Sequence, residues 1–176
     1  MVRRKMISVM ALAVASLPLM AAPAGGQDLS RIERQVRHEL VTLPYYSVFD
    51  NMSFRVDGSK VTLMGKVTRP VLKSNAEKAL KDIEGVSEVD NQIEVLPVST
   101  NDDQIRLAAY QAIYGQSTLS RYQIQAVPPI HIIVDKGNIE LEGVVGTEGE
   151  KTIAGTQAKG VHGAFKVTNN LRVEKN

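Results

Sequence analysis

The three histidines are the first candidates for catalysis, because imidazole is the side chain that most often serves as a general base or metal ligand near neutral pH. They are His38, His131 and His162, and they stand in unrelated contexts with no metal-ligand spacing between them. No cysteine is present to act as a nucleophile or to complete a ligand set. We therefore expect structural or surface histidines, no catalytic residue, no metal and no cofactor, so that the protein is not an enzyme.

The segment GVVGTEGEKT, from Gly143 to Thr152, has the position of a phosphate-binding loop, because it joins a predicted strand to a predicted helix. A P-loop needs lysine directly after glycine, so that the lysine reaches the phosphates that the backbone N–H groups hold. Here Glu150 separates Gly149 from Lys151 and would bring a negative charge to the phosphate position. No acidic residue closes a second strand about 20 residues later, as a dinucleotide site requires. The segment is predicted to be an ordinary turn between a hairpin and a helix, and we expect no small-molecule substrate.

Arginine side chains lie on one face of the first predicted helix. Arg31, Arg34 and Arg37 fall opposite its apolar side. Such a face can meet anionic lipid headgroups, and each basic residue near a charged surface contributes about 1 kcal/mol. The alternative is an ordinary solvated helix face, which the neighbouring Glu33 and Glu39 favour.

A stripe of large apolar side chains lies on a helix predicted for the second half of the chain. Leu107, Tyr110 and Tyr114 are spaced i, i+3 and i+7 opposite the residues expected to face the core, with Arg106 beside them. Tyrosine suits a membrane–water interface because its ring is apolar and its hydroxyl is hydrated. We predict an exposed surface for lipid or a partner protein. The alternative is that the stripe is covered, by the first half of the chain or by an insertion that contains Leu119, Tyr122 and Ile124.

The elements that position these residues occur twice. The segment VDGSKVTLMGKV, Val56 to Val67, returns as VDKGNIELEGVV, Val134 to Val145, at an offset of 78 residues. The same offset relates GVSEVDNQIEV, which begins at Gly85, to GAFKVTNNLRV, which begins at Gly163. A constant offset through separate segments indicates a duplicated structural unit.

Each copy has the order helix, strand, strand, helix, strand. In the first copy, apolar residues recur every four positions from Ile32 to Leu40, and helical spacing returns from Leu72 to Ile83. Segments of alternating polarity flank Asp57-Gly58, a pair typical of a tight hairpin. About five extra residues follow the first helix of the second copy. The strand residues predicted to face the core are Val56, Val61, Leu63 and Val67.

Four glycines occupy equivalent positions in the two copies. Gly65 and Gly143 stand near the end of the second strand, and Gly85 and Gly163 stand just before the third. Glycine is preferred where the backbone must take a conformation that other residues avoid. We predict that all four are structural.

The amino terminus has the features of an export signal. Arg3, Arg4 and Lys5 precede an apolar stretch that is too short to span a bilayer, and Ala22-Pro23-Ala24 offers a small-residue cleavage site. The alternative is an amphipathic or buried first helix. We predict that residues 1–24 are a signal peptide, and that the protein is periplasmic or otherwise exported and soluble after cleavage.

Removal of that segment changes the charge of the chain. Three of the 21 Lys and Arg residues lie in it and none of the 19 Asp and Glu residues, so the remaining chain has a formal net charge of −1. A nucleic-acid-binding protein needs a basic footprint, which this balance does not provide. The lack of cysteine excludes disulfides and a lipid-attachment cysteine.

Two motifs and the order of elements resemble the BON domain, named for bacterial OsmY and nodulation proteins. The motif G-x-V-x-L-x-G-x-V runs from Gly137 to Val145, with Ile139 at its first valine position, whereas in the first copy its leading glycine, Gly58, stands one position early. The second motif runs from Gly85 to Ile93 and from Gly163 to Leu171. The resemblance covers nearly all of the chain after the predicted signal peptide.

The expected fold class is α+β, with two tandem αββαβ units, each a three-stranded mixed sheet with two helices packed on one face. We expect the first domain at residues 28–96, a linker at residues 97–101 and the second domain at residues 102–174. The linker is short enough for the two units to be docked together.

The resemblance implies an exported cell-envelope protein from a family associated with phospholipid interfaces and envelope stress, without enzymatic activity. Our leading hypothesis is a binding module that associates peripherally with anionic phospholipid surfaces or with an envelope protein. The alternative is a structural or protein-interaction module for envelope integrity under stress, without lipid affinity. An accessory role in a secretion or transport complex rests on the family association alone.

Overall fold

The structure is a computed structural model that describes residues 25–174, with side chains described from residue 31. The predicted signal peptide, residues 1–24, lies outside the described residues. No helix within residues 25–174 is long and apolar enough to cross a membrane.

The first unit contains two helices and a mixed sheet. Strand β2 is central: it pairs antiparallel with β1 and parallel with β3 and β4. In chain order the elements are α1 (Gly25–Val41), β1 (Asn51–Asp57), β2 (Lys60–Val67), α2 (Pro70–Lys81), β3 (Glu88–Asn91) and β4 (Glu94–Val95).

The second unit repeats this arrangement and adds a short 3₁₀ helix after its first helix. Strand β6 pairs antiparallel with β5 and parallel with β7 and β8. The predicted fold class is therefore confirmed: the molecule is α+β, and both units consist of a mixed sheet with helices packed on it. The elements are α3 (Thr100–Tyr114), the 3₁₀ helix Ser120–Ile124, β5 (Ile130–Asp135), β6 (Asn138–Val145), α4 (Glu148–Lys159), β7 (Lys166–Asn169) and β8 (Arg172–Val173).

The third strand predicted for each unit is broken into two pieces. In the first unit Asn91 causes the break: its side-chain amide donates to Lys73 O of α2 at 2.9 Å, and its side-chain oxygen accepts from Ile93 N at 3.2 Å. Asn169 makes the same two bonds in the second unit. The asparagine thus fastens the edge strand to the second helix, because its side-chain amide donates to a backbone carbonyl of that helix.

Each unit has its own core between the sheet and the helices. Val61, Leu63 and Val67 of β2 are fully buried on the face that the helices cover, as alternation of the side chains requires. Val56, the fourth predicted core position, is only half-buried and packs at the margin of this core.

Two of the four predicted structural glycines allow one strand to cross another closely. Gly65 has φ +123° and Gly143 has φ +118°. A Cβ atom would collide with the carbonyl oxygen of Asn51 at the first position and with that of Pro129 at the second. Any other residue would force the two strands of the hairpin apart. The other two, Gly85 and Gly163, form the turns after α2 and α4 with φ +93° and +85°.

Candidate functional site

The two units are joined through the loop between α1 and β1. Val48 of this loop is buried in the core of the second unit rather than the first. Its carbonyl oxygen accepts a hydrogen bond from Ile132 N on the edge strand β5 at 2.8 Å. The loop thereby satisfies a backbone group of an edge strand that would otherwise be open to another chain.

A buried carboxylate holds this loop in place. Asp50 is fully buried, and its two side-chain oxygens accept four hydrogen bonds. One oxygen accepts from the backbone N and hydroxyl of Ser47, at 3.0 and 2.7 Å, and the other from the same two groups of Thr68, at 2.7 and 2.8 Å. Thr68 lies just before α2, so Asp50 ties the docking loop to the framework of its own unit.

A salt bridge joins the units on the other side of the sheets. Lys66 Nζ lies 3.0 and 3.1 Å from the two carboxylate oxygens of Glu140. Both residues alternate with core positions, so they lie on the sheet faces opposite the helices. Burial acts to lower the pKa of Lys66, but the hydrogen bond and the charge of Glu140 outweigh it and the pKa is raised.

The predicted exposed stripe is wrong for Tyr114, which is 2% exposed. Its hydroxyl donates to Ile130 O at 2.7 Å and accepts from Ile130 N at 3.2 Å. Burial raises the pKa of Tyr114 above its ordinary value. Leu119 of the insertion is also fully buried in the same core, so the insertion covers part of the stripe.

Tyr110 is half-buried, and residues from both predicted covering segments contact it. Phe49 of the first unit packs edge-on against its ring, with ring centres 6.2 Å apart. Gln123 of the insertion donates to its hydroxyl at 3.0 Å. Of the three residues in the predicted stripe only Leu107 is exposed, at 57%. Both covering segments considered from the sequence therefore contribute.

Arg106 is also not a surface residue. It is 4% exposed, because it lies on the side of α3 that packs against β5. Its guanidinium donates to Val134 O at 2.6 Å and to the Asp103 carboxylate at 2.5 Å. A buried arginine with this geometry holds the helix to the strand and cannot reach a lipid headgroup.

The arginines of α1 stay on the first unit. Arg34 and Arg37 are exposed, and the guanidinium of Arg37 lies 5.7 Å from the ring centre of Phe54. Arg31 is half-buried, donates to Glu84 O at 3.3 Å and lies 3.6 Å from the Glu84 carboxylate. These three arginines do not line the cleft that contains Leu107.

Leu107 lines a cleft of about 560 Å³ between the two units, together with Tyr45 and Arg69. Tyr45 is 64% exposed, and the Arg69 guanidinium lies over its ring at 5.2 Å from the ring centre. We call Tyr45, Arg69 and Leu107 the junction patch. It places two exposed apolar side chains and one cation on the same surface.

The backbone of Tyr45 is in the left-handed region, with φ +71°. A bulky residue rarely takes this conformation, and where it occurs the surrounding structure maintains it, often at a functional site. Tyr45 was not among the candidate residues predicted from the sequence. The available signal was the pair of aromatic residues directly after Pro44, in a segment without a strand pattern.

The exposed side of α3 next to the junction patch carries no charge after Asp103. Gln104, Leu107, Ala108 and Gln111 are exposed there, and from Leu107 to Ser120 the sequence has no charged residue. Most surface helices present charged residues to water. The uncharged side therefore costs little to bring close to an apolar boundary.

Glu150, which argued against a phosphate loop, has a structural role. It is buried and forms a capping box with Thr147 at the start of α4. Its carboxylate also accepts from Arg121 and from the Tyr122 hydroxyl, at 2.5 and 3.0 Å. The insertion is thus fastened to the same turn. In the part of the chain that the structure describes, no group of three or more metal-ligating side chains is present.

His131 lies at the junction, where its ring packs on Tyr46 with centres 5.7 Å apart. Burial lowers the pKa of His131, and the backbone carbonyl oxygens of Asp50 and Ser47, which favour the protonated ring as acceptors, offset only part of this effect. The unfolded chain therefore binds more protons than the folded one as the pH falls below about 6.5. We expect the free energy of unfolding to decrease with falling pH in that range.

Urea unfolding at pH 7.5 and pH 5 measures this effect. His131→Gln should reduce the difference between the two pH values, whereas His162→Gln, which changes an exposed histidine, should leave it intact. An unchanged difference in His131→Gln would show that other groups cause the pH dependence.

Comparison with known proteins gives one family match. The sequence pattern of the BON domain matches residues 28–97 and 116–175. No curated protein matches the chain.

Two solved structures that are similar to this chain come from one protein, CdsD. One is the C-terminal domain of CdsD, which is described as the structural protein of the type III secretion system of Chlamydia trachomatis. The other comes from structural studies of CdsD. The first is 14% identical, covers 81% of this chain and 96% of that one, and has a TM-score of 0.28. The second is 12% identical, covers 82% and 94%, and has a TM-score of 0.31.

Proposed function

The chain belongs to the BON domain family, and on this basis we propose that it is a peripheral binding module that associates with anionic phospholipid surfaces through the junction patch. BON domains are non-catalytic modules that are thought to bind phospholipid membranes. The family assignment alone names no surface of this chain and no lipid. The junction patch supplies the surface.

One observation supports this proposal most strongly: Tyr45 and Leu107, from different units, are both exposed and line one cleft with Arg69. A leucine gains free energy when its apolar surface leaves water, and a tyrosine ring is stable at the level of the headgroups. The guanidinium of Arg69 can bind a phosphate oxygen of the lipid. The three side chains together match the apolar and anionic layers of a bilayer surface, and the Asp103 carboxylate that also lines the cleft is bound to Arg106.

The long-range attraction would come from the first unit. Arg34 and Arg37 are exposed on α1, and each would contribute about 1 kcal/mol near an anionic surface. Arg31 contributes less because its guanidinium is bound to Glu84. In this proposal the arginines attract the protein to the membrane and the junction patch fixes its orientation.

We also propose an exported location for the protein and boundaries for its two domains. A cleaved signal peptide at residues 1–24 would deliver the protein to the periplasm or another exported location, where anionic phospholipid is available. We propose domains at residues 28–96 and 102–174, with residues 97–101 as the linker, although its last two residues already form the start of α3. Val98 in this linker is almost fully exposed, which supports a connecting role.

A second candidate function is a structural or protein-interaction module of the cell envelope without lipid affinity. The docked arrangement favours it, because Val48, Asp50 and the Lys66–Glu140 salt bridge join both units into one larger surface. An exposed apolar patch can serve a partner protein as well as a membrane. Failure to bind vesicles by a correctly folded protein would support this function.

We expect Tyr45→Asn and Leu107→Ser to weaken binding to anionic vesicles about tenfold each, since each removes apolar surface worth roughly 1.5 kcal/mol. Asparagine tolerates the left-handed conformation of residue 45, so that the backbone is kept. The measurement is co-sedimentation with phosphatidylglycerol–phosphatidylcholine vesicles of the chain from Gly25 onward, which holds both folded units.

Ile124→Ser is the matched control, because Ile124 is 87% exposed and does not line the cleft. The free energy of unfolding of all three variants should stay within about 0.5 kcal/mol of that of the unaltered protein, since substitutions of surface residues rarely destabilise a protein more than that. Equal vesicle binding by Tyr45→Asn, Leu107→Ser and Ile124→Ser would remove the junction patch as the lipid-binding surface.

A further inference from the structure

A second exposed aromatic residue lies at the far end of the second unit. Phe165 is 81% exposed, in the turn between α4 and β7. Its ring lies directly over the β5–β6 turn, close enough that a Cβ atom on Gly137 would collide with it. Its backbone N donates to Gly137 O at 2.8 Å. The ring is therefore held in the solvent by a fixed backbone and is not the end of a loose loop.

Two exposed lysines neighbour Phe165, one in the adjoining turn and one directly after it in the sequence. Lys136 forms the β5–β6 turn beside Gly137 and has φ +50°, and Lys166 follows Phe165 and pairs in register with Asn138. Both lysines are exposed, and so is Lys159 at the end of α4. We call Lys136, Phe165 and Lys166 the Phe165 tip.

The acidic groups near the tip are bound to other groups or turned inward. Asp102 is buried beneath the turn, and its carboxylate accepts from Lys136 N at 2.9 Å and from Gly137 N at 2.8 Å. Asp103 is bound to Arg106. One side-chain oxygen of Asp135 is buried. Lys166 shares a cleft with Asp135 and with Glu140, which is bound to Lys66, so the exposed charges of the tip itself are those of its lysines.

The equivalent end of the first unit lacks both features. At the same offset of 78 residues, Ser87 stands for Phe165, Gly58 for Lys136 and Glu88 for Lys166. Glu88 accepts a hydrogen bond from Lys60 Nζ at 2.6 Å, so the cation there is neutralised. The duplication keeps the backbone in both units, and of the two ends only that of the second unit carries an exposed aromatic residue with lysines next to it.

We infer that the Phe165 tip inserts into the headgroup layer of an anionic phospholipid bilayer, as a second contact beside the junction patch. The inference rests on the proposed function, because it assumes that the protein binds such a surface. A rigid aromatic ring enters the interface while the flanking lysines bind lipid phosphates. Charge complementarity selects anionic lipid over neutral lipid.

Helix α3 connects the two contacts. Asp102 in its first turn holds the β5–β6 turn of the tip, and Leu107 of the junction patch lies five residues further along. Five residues of α-helix advance about 8 Å. The tip and Leu107 are therefore held at a fixed separation by one rigid element.

The chain contains no tryptophan, so a single introduced tryptophan reports on its own surroundings. Phe165→Trp, mixed with phosphatidylglycerol–phosphatidylcholine vesicles, should show a blue shift of the emission maximum, because the ring leaves water. Ser87→Trp places the reporter at the equivalent position of the first unit and should show no shift. With vesicles of pure phosphatidylcholine, the emission maximum of neither variant should shift.

Binding constants test the energetic contribution of the tip. Phe165→Ser should weaken binding to the anionic vesicles about tenfold, and Lys166→Gln about fivefold, the factor that corresponds to one basic residue near a charged surface. Lys78→Gln, which changes the net charge equally at an exposed site on α2, is the control for Lys166→Gln and should have a smaller effect. Phe165 is exposed, so the variants should fold normally.

The outcomes separate this inference from the proposed function. If the unaltered protein binds neither kind of vesicle, the proposed function fails and the inference fails with it. If it binds anionic vesicles, but Phe165→Ser binds equally well and the emission of Phe165→Trp does not shift, the inference about the Phe165 tip is overturned and the proposed function stands.

Discussion

Replacing Gly143 by alanine is expected to lower the free energy of unfolding by about 4 kcal/mol. The residue has φ +118°, a conformation that costs other residues of order 1–3 kcal/mol. The new Cβ atom would also collide with the carbonyl oxygen of Pro129, a backbone atom that cannot move without shifting the strand. Such overpacking typically adds 1–3 kcal/mol. Gly65→Ala should behave similarly, because its Cβ atom would meet Asn51 O.

Urea unfolding of Gly143→Ala measures this loss, and Gly149→Ala is the matched control. Gly149 lies in the first turn of α4, and its Cβ atom would meet only the Thr147 hydroxyl at 3.8 Å. Alanine favours the helix over glycine, so this variant should be unchanged or more stable by up to about 1 kcal/mol. A loss in Gly143→Ala no larger than about 1 kcal/mol would mean that the hairpin tolerates a side chain there.

Replacing Asp50 by alanine is expected to cost about 4 kcal/mol and to loosen the junction between the units. Four donors from Ser47 and Thr68 would lose their acceptor in a fully buried site. Each unsatisfied buried donor costs roughly 1–3 kcal/mol of stability. Relaxation of the loop, or water that enters the site, recovers part of the summed loss. The loop that carries Val48 into the second core would then lose its anchor.

Unfolding in urea and amide hydrogen exchange together test this prediction. Ile132 N donates to Val48 O, so its exchange should accelerate in Asp50→Ala more than that of amides within the core strands. Asp57→Ala changes an exposed carboxylate and should alter stability by no more than about 0.5 kcal/mol. If Asp50→Ala resembled Asp57→Ala in both measurements, Asp50 would not be the anchor of the loop.

The duplicated fold could be predicted from the sequence because its determinants are local. Alternation in β2 places Val61, Leu63 and Val67 on one face, and that pattern holds whatever the helices contact. Gly65 and Gly143 could be identified as structural candidates from their equivalent positions. The break in each third strand was missed, because Asn91 and Asn169 act through a bond to a helix that is distant in sequence.

The candidate site could not be predicted fully, because burial on α3 depends on segments outside the helix. The helical spacing alone put Tyr114 and Arg106 on the solvent side, but the insertion and strand β5 cover them. Leu107 remained exposed because neither covering segment buries it. Tyr45 joins the same cleft only through the docking of the two units, and no local pattern reports that contact.

The most direct test of the proposed lipid-binding role is co-sedimentation of the unaltered protein, from Gly25 onward, with vesicles that differ only in charge. We expect binding to phosphatidylglycerol-containing vesicles at low ionic strength, weaker binding as salt screens the basic residues, and little binding to pure phosphatidylcholine. Absence of binding to the anionic vesicles at low salt, by a protein that is folded, would contradict the assignment of a phospholipid surface as its partner.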